Sequence, residues 1–336
     1  MPTARQLFFS NPRQLELREI PLRPIAEHEV LVKSICSSIS AGTEMLIYRG
    51  QFASIPDQYD SISSDLQYPL TYGYACVGRI IEAGGRIDKS WLDRLVFSFH
   101  PHTTHFIARI EEIYPLPSTI APEAACFLPN METAVNLVHD GNPILGERVL
   151  VLGQGTIGLL VAALLAEFPL DCLITADLHR LRREASSRLN VTACLDPASV
   201  RFRQDLLSST SSKFDLSIEL SGSSEALNHA LALTRFSGRI IIGSWYGKDK
   251  CEVDLGGAFH RSRIKMIASQ VSTIAPELSQ RWDKARRFDL TWKALKRIQP
   301  QRWITHRFNF EEAPRAYELI DREPHKVIQV LLEYTG

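Results

Sequence analysis

Hydrophobic and polar positions follow two different periods along the chain. Over residues 1–117 short runs alternate in the manner of half-buried strands. They are Leu15 to Ile20 before the breakers Pro21 and Pro24, Glu29 to Ile35, Tyr74 to Glu82 before Gly84-Gly85, Leu95 to Phe99, and Thr104 to Ala108. Many short strands with turn signals predict a compact β domain or barrel. Residues 51–69 are polar and rich in Asp, Ser and Pro, which predicts a long loop, either a lid or a disordered excursion. Helical spacing begins at Pro122, with a helix over Asn130 to His139. Strands and helices then alternate: Val149 to Leu152, Leu159 to Phe168, Cys172 to Ala176, Phe214 to Glu219, Ser224 to Thr234, Arg239 to Gly243 and Lys265 to Ser269. That order predicts a doubly wound parallel sheet. From Ile274 the chain turns charged and helical, and it ends in a strand from Val327 to Leu332. The pattern divides this α/β chain into residues 1–121, 122–272 and 273–336.

The stretch from Val149 to Asp177 carries the first chemical signal. A buried strand runs into Gly153-Gln154-Gly155-Thr156-Ile157-Gly158, then an apolar helix, then a second strand that ends in Asp177. In a dinucleotide site Gly153 permits the tight turn, Gly155 lets the backbone approach a pyrophosphate, and Gly158 lets the helix lie close on the strand. The free N–H groups and positive dipole end at the helix start favour phosphate. Asp177 follows Gly158 by 19 residues, where a carboxylate can accept both ribose hydroxyls, so NAD is expected over NADP. Arg180, Arg182 and Arg183 lie close by; they can salt-bridge on a helix face, hold a 2′-phosphate or cover the adenine. The uncharged run Val149 to Ala166 is barely long enough for a membrane span, and the internal Gly-Gln-Gly-Thr argues against one.

Composition narrows the function classes. The 38 basic and 38 acidic residues balance, so nothing favours nucleic acid or an anionic membrane. At 336 residues two domains are expected. The six cysteines are scattered without a C-x-x-C pair, which supports neither a disulfide framework nor a four-cysteine zinc lobe. The first residues lack a long apolar run, and a cytoplasmic enzyme is expected.

The order of a β domain, a Rossmann unit and a C-terminal return resembles the medium-chain dehydrogenase/reductase superfamily over essentially the whole chain. The residues that carry it are Val30-Leu31-Val32-Lys33, Tyr48-Arg49-Gly50, Gly73-Tyr74 with Gly78, Asp93 to Val96, Thr133-Ala134-Val135 and the Gly153 motif. The resemblance implies a GroES-like β-barrel catalytic domain, a Rossmann NAD(P)-binding domain, and a last segment that returns to the catalytic domain. Zinc-dependent members carry a cysteine where this chain has Ala41, a histidine where it has Tyr74, and a third ligand near Pro129 to Glu132. Zinc needs about three or four protein ligands, and these positions supply none, so the resemblance points to a zinc-independent protein. The runs Ser38 to Glu44, His100-Pro101-His102, Asn130 to Ala134, Ser244 to Gly247 and Phe259 to Arg263 resemble a narrower zinc-free branch, similar to 3-hydroxyethyl bacteriochlorophyllide a dehydrogenase-like alcohol dehydrogenases. That branch implies oxidation of a secondary alcohol or reduction of a ketone.

Without zinc another group must protonate the developing alkoxide. Thr43 occupies the position whose hydroxyl relays the proton in zinc-dependent relatives; a capping role also fits. Tyr74 is either an acid, if a neighbouring cation lowers its pKa, or an aromatic that fills the vacated metal site. Glu44 takes the place of an acid behind the metal ligands and is expected to orient His100 or Thr43, or to pair with an arginine. Glu132 either faces the cleft or has a capping or solvent role. His100, His102 and His105 form a spaced set from which His100 is the expected proton shuttle; polar turn residues are the equal alternative. Ser221, Gly243, Ser244 and Trp245 lie at carboxyl ends of strands, where Rossmann ligands sit, and Trp245 or Tyr246 is expected to wall the pocket. The expectation is a zinc-independent NAD-dependent alcohol dehydrogenase or ketone reductase with a small-molecule substrate. The alternatives are an NADPH-dependent quinone or enone reductase and a non-catalytic nucleotide-binding protein. The apolar strand Ile264 to Ser269 is expected to pair with a second copy in a homodimer.

Overall fold

The computed structural model describes residues 2–52, 66–210 and 212–335. Most of the polar loop expected over 51–69 lies outside the described residues. The chain forms two units, Met1–Pro129 with Leu295–Gly336, and Asn130–Ala294. These divisions differ from the boundaries expected at 121 and 272. Each falls inside a helix, Leu128–Gly141 and Lys284–Ile298, and no break in apolar periodicity marks either point.

In the first unit β1 (Thr3–Asn11) and β2 (Gln14–Pro21) pair antiparallel. Next come β3 (Glu29–Ile39), β4 (Cys76–Ala83), β5 (Leu95–Ser98), β6 (His105–Arg109) and β7 (Ile113–Pro115). The second unit holds β8 (Arg148–Leu152), β9 (Cys172–Ala176), β10 (Ala193–Leu195), β11 (Phe214–Glu219), β12 (Thr234–Ile242) and β13 (Lys265–Ala268). The chain then returns to the first unit with β14 (Ile304–Asn309) and β15 (Gln329–Glu333).

Strand β3 is the axis of the first unit. It pairs antiparallel with β4, β6 and β15. One cluster packs Val30, Val32, Ile80, Val96 and Phe106. Another packs Leu7, Phe9, Ile39, Met45, Ile47, Phe310, Tyr317 and Leu332. Enclosure on several sides explains why nearly all of β3 is buried, including Ser34, Ser37 and Ser38. Buried hydroxyls in a strand need partners, and those of β3 reach His102, Tyr334, Cys76 and the Cys126 carbonyl.

The second unit is an all-parallel sheet in the order β10-β9-β8-β11-β12-β13. Counted within the unit that is 3-2-1-4-5-6, the doubly wound order whose ligand crevice opens at the reversal beside the first strand. β13 lies at the sheet edge, the place expected for a strand that pairs with a second copy. The apolar run 149–166 is divided between β8 and the helix Thr156–Leu165. Among the described residues no helix is long and apolar enough to cross a membrane.

Candidate functional site

The three motif glycines are glycine for three different reasons. Gly153 leaves β8 at φ +92°, and a Cβ there would lie 2.6 Å from the Leu220 carbonyl carbon. A Cβ on Gly158 would stand 2.0 Å from the Gly153 carbonyl oxygen, so the helix can approach the strand only without one. At Gly155 a Cβ meets only the Arg182 guanidinium, at 3.9 Å. Gly155 therefore faces open space at the start of the helix Thr156–Leu165, where backbone N–H groups have no partner within the helix. Gly155 and Ile157 are the partly exposed members of the turn, while Gln154, Thr156 and Gly158 are buried. This arrangement fits a pyrophosphate.

Asp177 is only 6% exposed and holds the turn from behind. Its carboxylate accepts the Gln154 N–H at 2.6 Å on one oxygen and the His179 N–H at 2.7 Å on the other. Each oxygen thus accepts one backbone N–H. Arg182 lies 4.0 Å from the same carboxylate, and burial lowers its pKa against the pull of Asp177. The buried Gln154 amide donates to the Gly153 carbonyl at 2.9 Å. Among the described residues its Oε1 has no partner, an orphaned acceptor inside the glycine turn.

A second group forms at the carboxyl ends of β11 and β12. Glu219 is fully buried. One oxygen accepts the Ser221 N–H and hydroxyl, both at 2.6 Å, and the Gly222 N–H at 3.2 Å. The other accepts the Tyr246 hydroxyl at 2.7 Å. Burial and then the charge of Glu219 push the Tyr246 phenol far up. Ser244 accepts the Gly222 N–H at 2.9 Å, and a Cβ on Gly243 would meet Leu220 at 2.5 Å. Tyr246 thus anchors this turn by its hydroxyl, while Trp245 beside it is 38% exposed.

In the first unit, hydroxyls and acids form two layers. The outer layer is Thr43 and Tyr74, both half-buried, with Ser40 beneath them. The Ser40 and Thr43 hydroxyls act to lower the pKa of the Tyr74 phenol. The inner layer centres on Glu44, which is fully buried in the first turn of the helix Thr43–Arg49. Glu44 Oε1 accepts the Ser40 N–H at 2.9 Å. Glu44 Oε2 meets His102 Nε2 at 3.0 Å and accepts the Tyr317 hydroxyl. His102 Nδ1 lies 2.7 Å from the Ser37 hydroxyl, which lies 2.8 Å from the Tyr334 hydroxyl. With a carboxylate at Glu44 the hydrogen bonds run one way: Tyr334 to Ser37 to His102 to Glu44, with Tyr317 and Ser40 donating to the same acid.

Burial first, then the negative charge of Glu44, push the Tyr74 phenol up to about 12 against the pull of the Ser40 and Thr43 hydroxyls. This corrects the expectation of a cation that lowers it: the charge beside Tyr74 is an anion. His100 also stands apart from the role expected of it. Its ring stacks on Phe106 at 4.2 Å and donates from Nδ1 to the Pro101 carbonyl at 3.0 Å, and burial lowers its pKa. Glu44 holds His102 instead. A signal for His102 existed at Gly73, which has φ +123° and where a Cβ would lie 2.8 Å from the His102 ring. Glu132 neither caps a helix nor faces solvent; it pairs at 2.7 Å with the fully buried Arg287.

Ala41 has no ligand atom, and among the described residues no group of three or more His, Cys, Asp or Glu is placed to hold a metal ion.

No protein-family profile matches the chain. It is similar to the D-guloside 3-dehydrogenase of Escherichia coli K12, with 22% identity over 97% of this chain and 99% of the relative. Among solved structures, an alcohol dehydrogenase of Escherichia coli CFT073 in complex with NADH superposes with a TM-score of 0.79 at 18% identity, covering 99% of both chains. The 2R,3R-butanediol dehydrogenase of Bacillus subtilis superposes with a TM-score of 0.80 at 15% identity, covering 99% of this chain and 100% of the other. The chain therefore shares the fold of these dehydrogenases, with a Rossmann-like parallel sheet and a GroES-like domain.

Proposed function

We propose that the protein is a zinc-independent oxidoreductase of the alcohol dehydrogenase type, which interconverts a secondary alcohol and a ketone and prefers NAD(H) to NADP(H). The observation that carries the reading is the pair of half-buried hydroxyl residues Thr43 and Tyr74, with the fully buried Glu44 following Thr43 and accepting the Ser40 N–H at 2.9 Å. By the family resemblance, Tyr74 takes the position of a ligand histidine of zinc-dependent relatives. The opening at Gly155 supports the dinucleotide, and the Asp177 carboxylate beside the turn supports NAD.

Bound nicotinamide supplies or accepts the hydride. The chain's own residues handle the oxygen. Thr43 and Tyr74 donate hydrogen bonds to the substrate oxygen and stabilise charge as it develops there. A phenol pushed up to about 12 stays protonated throughout the neutral range. A developing alkoxide is a stronger base than tyrosinate, so Tyr74 still gives up its proton to it and regains one from solvent. Reduction is then lost only as the pH rises toward the Tyr74 pKa.

Thr43→Val and Tyr74→Phe are each expected to lower kcat for ketone reduction by about 100-fold, the lower end of what a positioned acid contributes. Dinucleotide affinity should be unchanged. Steady-state kinetics with NADH over a panel of secondary alcohols and cyclic ketones checks this; full activity in both variants contradicts it. Arg182 beside Gly155 supports a second reading, an NADPH-dependent quinone or enone reductase. NADPH preference together with turnover that survives both substitutions distinguishes it.

A further inference from the structure

The turns that follow β8, β11 and β12 abut one another in that order. A Cβ on Gly153 would lie 2.7 Å from the Ser221 nitrogen, which sets the turn after β11 against the glycine turn. A Cβ on Gly243 would lie 2.5 Å from the Leu220 side chain, and Ser244 accepts the Gly222 N–H at 2.9 Å, which sets the turn after β12 against the turn after β11. All three are at carboxyl ends of parallel strands, the side on which a doubly wound sheet takes its ligand. A dinucleotide is two nucleosides joined by a pyrophosphate. With the pyrophosphate at Gly155 and the adenosine ribose at Asp177, which follows β9, the second nucleoside extends to the other side of β8, over β11 and β12.

Two residues on that side carry an electrostatic preference. Glu219 ends β11 as a fully buried carboxylate. Its partners are neutral donors: the Ser221 N–H and hydroxyl and the Gly222 N–H on one oxygen, and the Tyr246 hydroxyl on the other. Such donors fix a carboxylate without cancelling its charge, and in a protein interior that charge is felt more strongly than in water. Trp245 stands between Ser244 and Tyr246, both of which are tied to the turn after β11. With its neighbours fixed on either side, its indole is exposed at the strand end. The face of an indole attracts a cation that lies within about 6 Å. The nicotinamide ring is a pyridinium cation in the oxidised dinucleotide and a neutral dihydropyridine in the reduced one.

We propose that the nicotinamide half of the dinucleotide lies over the turns after β11 and β12, where the Trp245 indole face and the buried Glu219 charge both favour the oxidised, cationic ring over the reduced, neutral one. The inference rests on the dinucleotide reading given above and deepens it, because it names the residues of this chain that sense the redox state of the cofactor. Tyr246 and Ser244 are positioning residues: Tyr246 holds the second Glu219 oxygen, and Ser244 ties the Trp245 turn to Gly222.

The test is isothermal titration of the wild type and of Trp245→Leu with NAD+ and, separately, with NADH, read as the Kd for NADH divided by the Kd for NAD+. Leucine keeps an apolar wall and removes the aromatic face. The ratio should fall about fivefold in Trp245→Leu, the effect of a partly desolvated cation–π contact. Glu219→Gln, which keeps the shape and removes the charge, should lower the same ratio by at least about threefold. An unchanged ratio in Trp245→Leu, through no loss of affinity or through equal loss for both forms, overturns the proposal and leaves the dinucleotide reading standing. Binding of neither form to the wild type overturns both. If Glu219→Gln does not fold, Trp245→Leu carries the test alone, since an exposed side chain is replaced there.

Discussion

Gly155→Val is expected to leave thermal stability nearly unchanged while weakening NADH binding by at least about 100-fold, near 2.7 kcal/mol. The reason is local. The backbone at Gly155 has φ −66° and ψ −170°, a conformation any residue adopts, and a Cβ meets nothing nearer than Arg182 at 3.9 Å. The added methyls fill the space from which a pyrophosphate would approach. Gly158→Ala should behave differently. Its Cβ would stand 2.0 Å from the Gly153 carbonyl oxygen and 2.9 Å from its carbon, both backbone atoms. The helix must lift from the strand, which costs about 1–3 kcal/mol in a packed interior and displaces the same N–H groups. Stability and NADH affinity should fall together. Calorimetry and fluorescence titration on the two variants check the contrast. If Gly155→Val binds NADH as the wild type does, the turn is not a dinucleotide site.

Arg287→Ala is expected to be the most destabilising single change in the second unit. The guanidinium is fully buried. It donates to Glu132 from Nε at 3.0 Å and from a terminal nitrogen at 2.7 Å, and to the Asn136 side chain at 2.6 Å. It also donates to the carbonyls of Val271 at 2.5 Å and Thr273 at 3.0 Å. These bonds tie the helix Lys284–Ile298 and the segment after β13 to the helix Leu128–Gly141. Burial already raises the pKa of Glu132 against the pull of Arg287. Without the arginine, an uncompensated carboxylate and two carbonyls stay buried, a loss of about 3–5 kcal/mol. In a unit of this size that lowers Tm by roughly 6–20 °C. Arg287→Met with Glu132→Leu should recover most of the loss, because no charge is then left alone. A double variant no more stable than Arg287→Ala contradicts this account.

The central strands of the parallel sheet, β8, β9 and β11, were legible because they are buried on both faces and read as apolar runs, with glycine punctuation at the first turn. Two strands with mixed exposure were not. β1 has its buried positions Ala4, Leu7 and Phe9 interrupted by half-exposed neighbours, and β14 is mostly half-exposed. The two divisions between the units carry no mark in the periodicity because helices run through them. In the candidate site, Thr43, Glu44 and Tyr74 were legible as a group only through the family resemblance. Their true partners were not, since Tyr317 lies 273 residues from Glu44 and Ser37 lies 65 from His102. Periodicity cannot tell which of three nearby histidines meets a given acid; the pairing of β3 with β15 and the folding back of the helix Ala313–Arg322 decide it. Ser221 and Ser244 were read as ligand-facing from their place at strand ends. The buried Glu219, which collects the Ser221 and Tyr246 hydroxyls, gave no signal beyond a charge at the end of an apolar strand.

The most direct measurement is titration of the purified wild-type protein with NADH and, separately, NADPH, followed by quenching of tryptophan fluorescence. The account predicts saturable binding of one dinucleotide per chain, with NADH the tighter. No saturable binding of either would contradict it, because the opening at Gly155 would then have some other purpose.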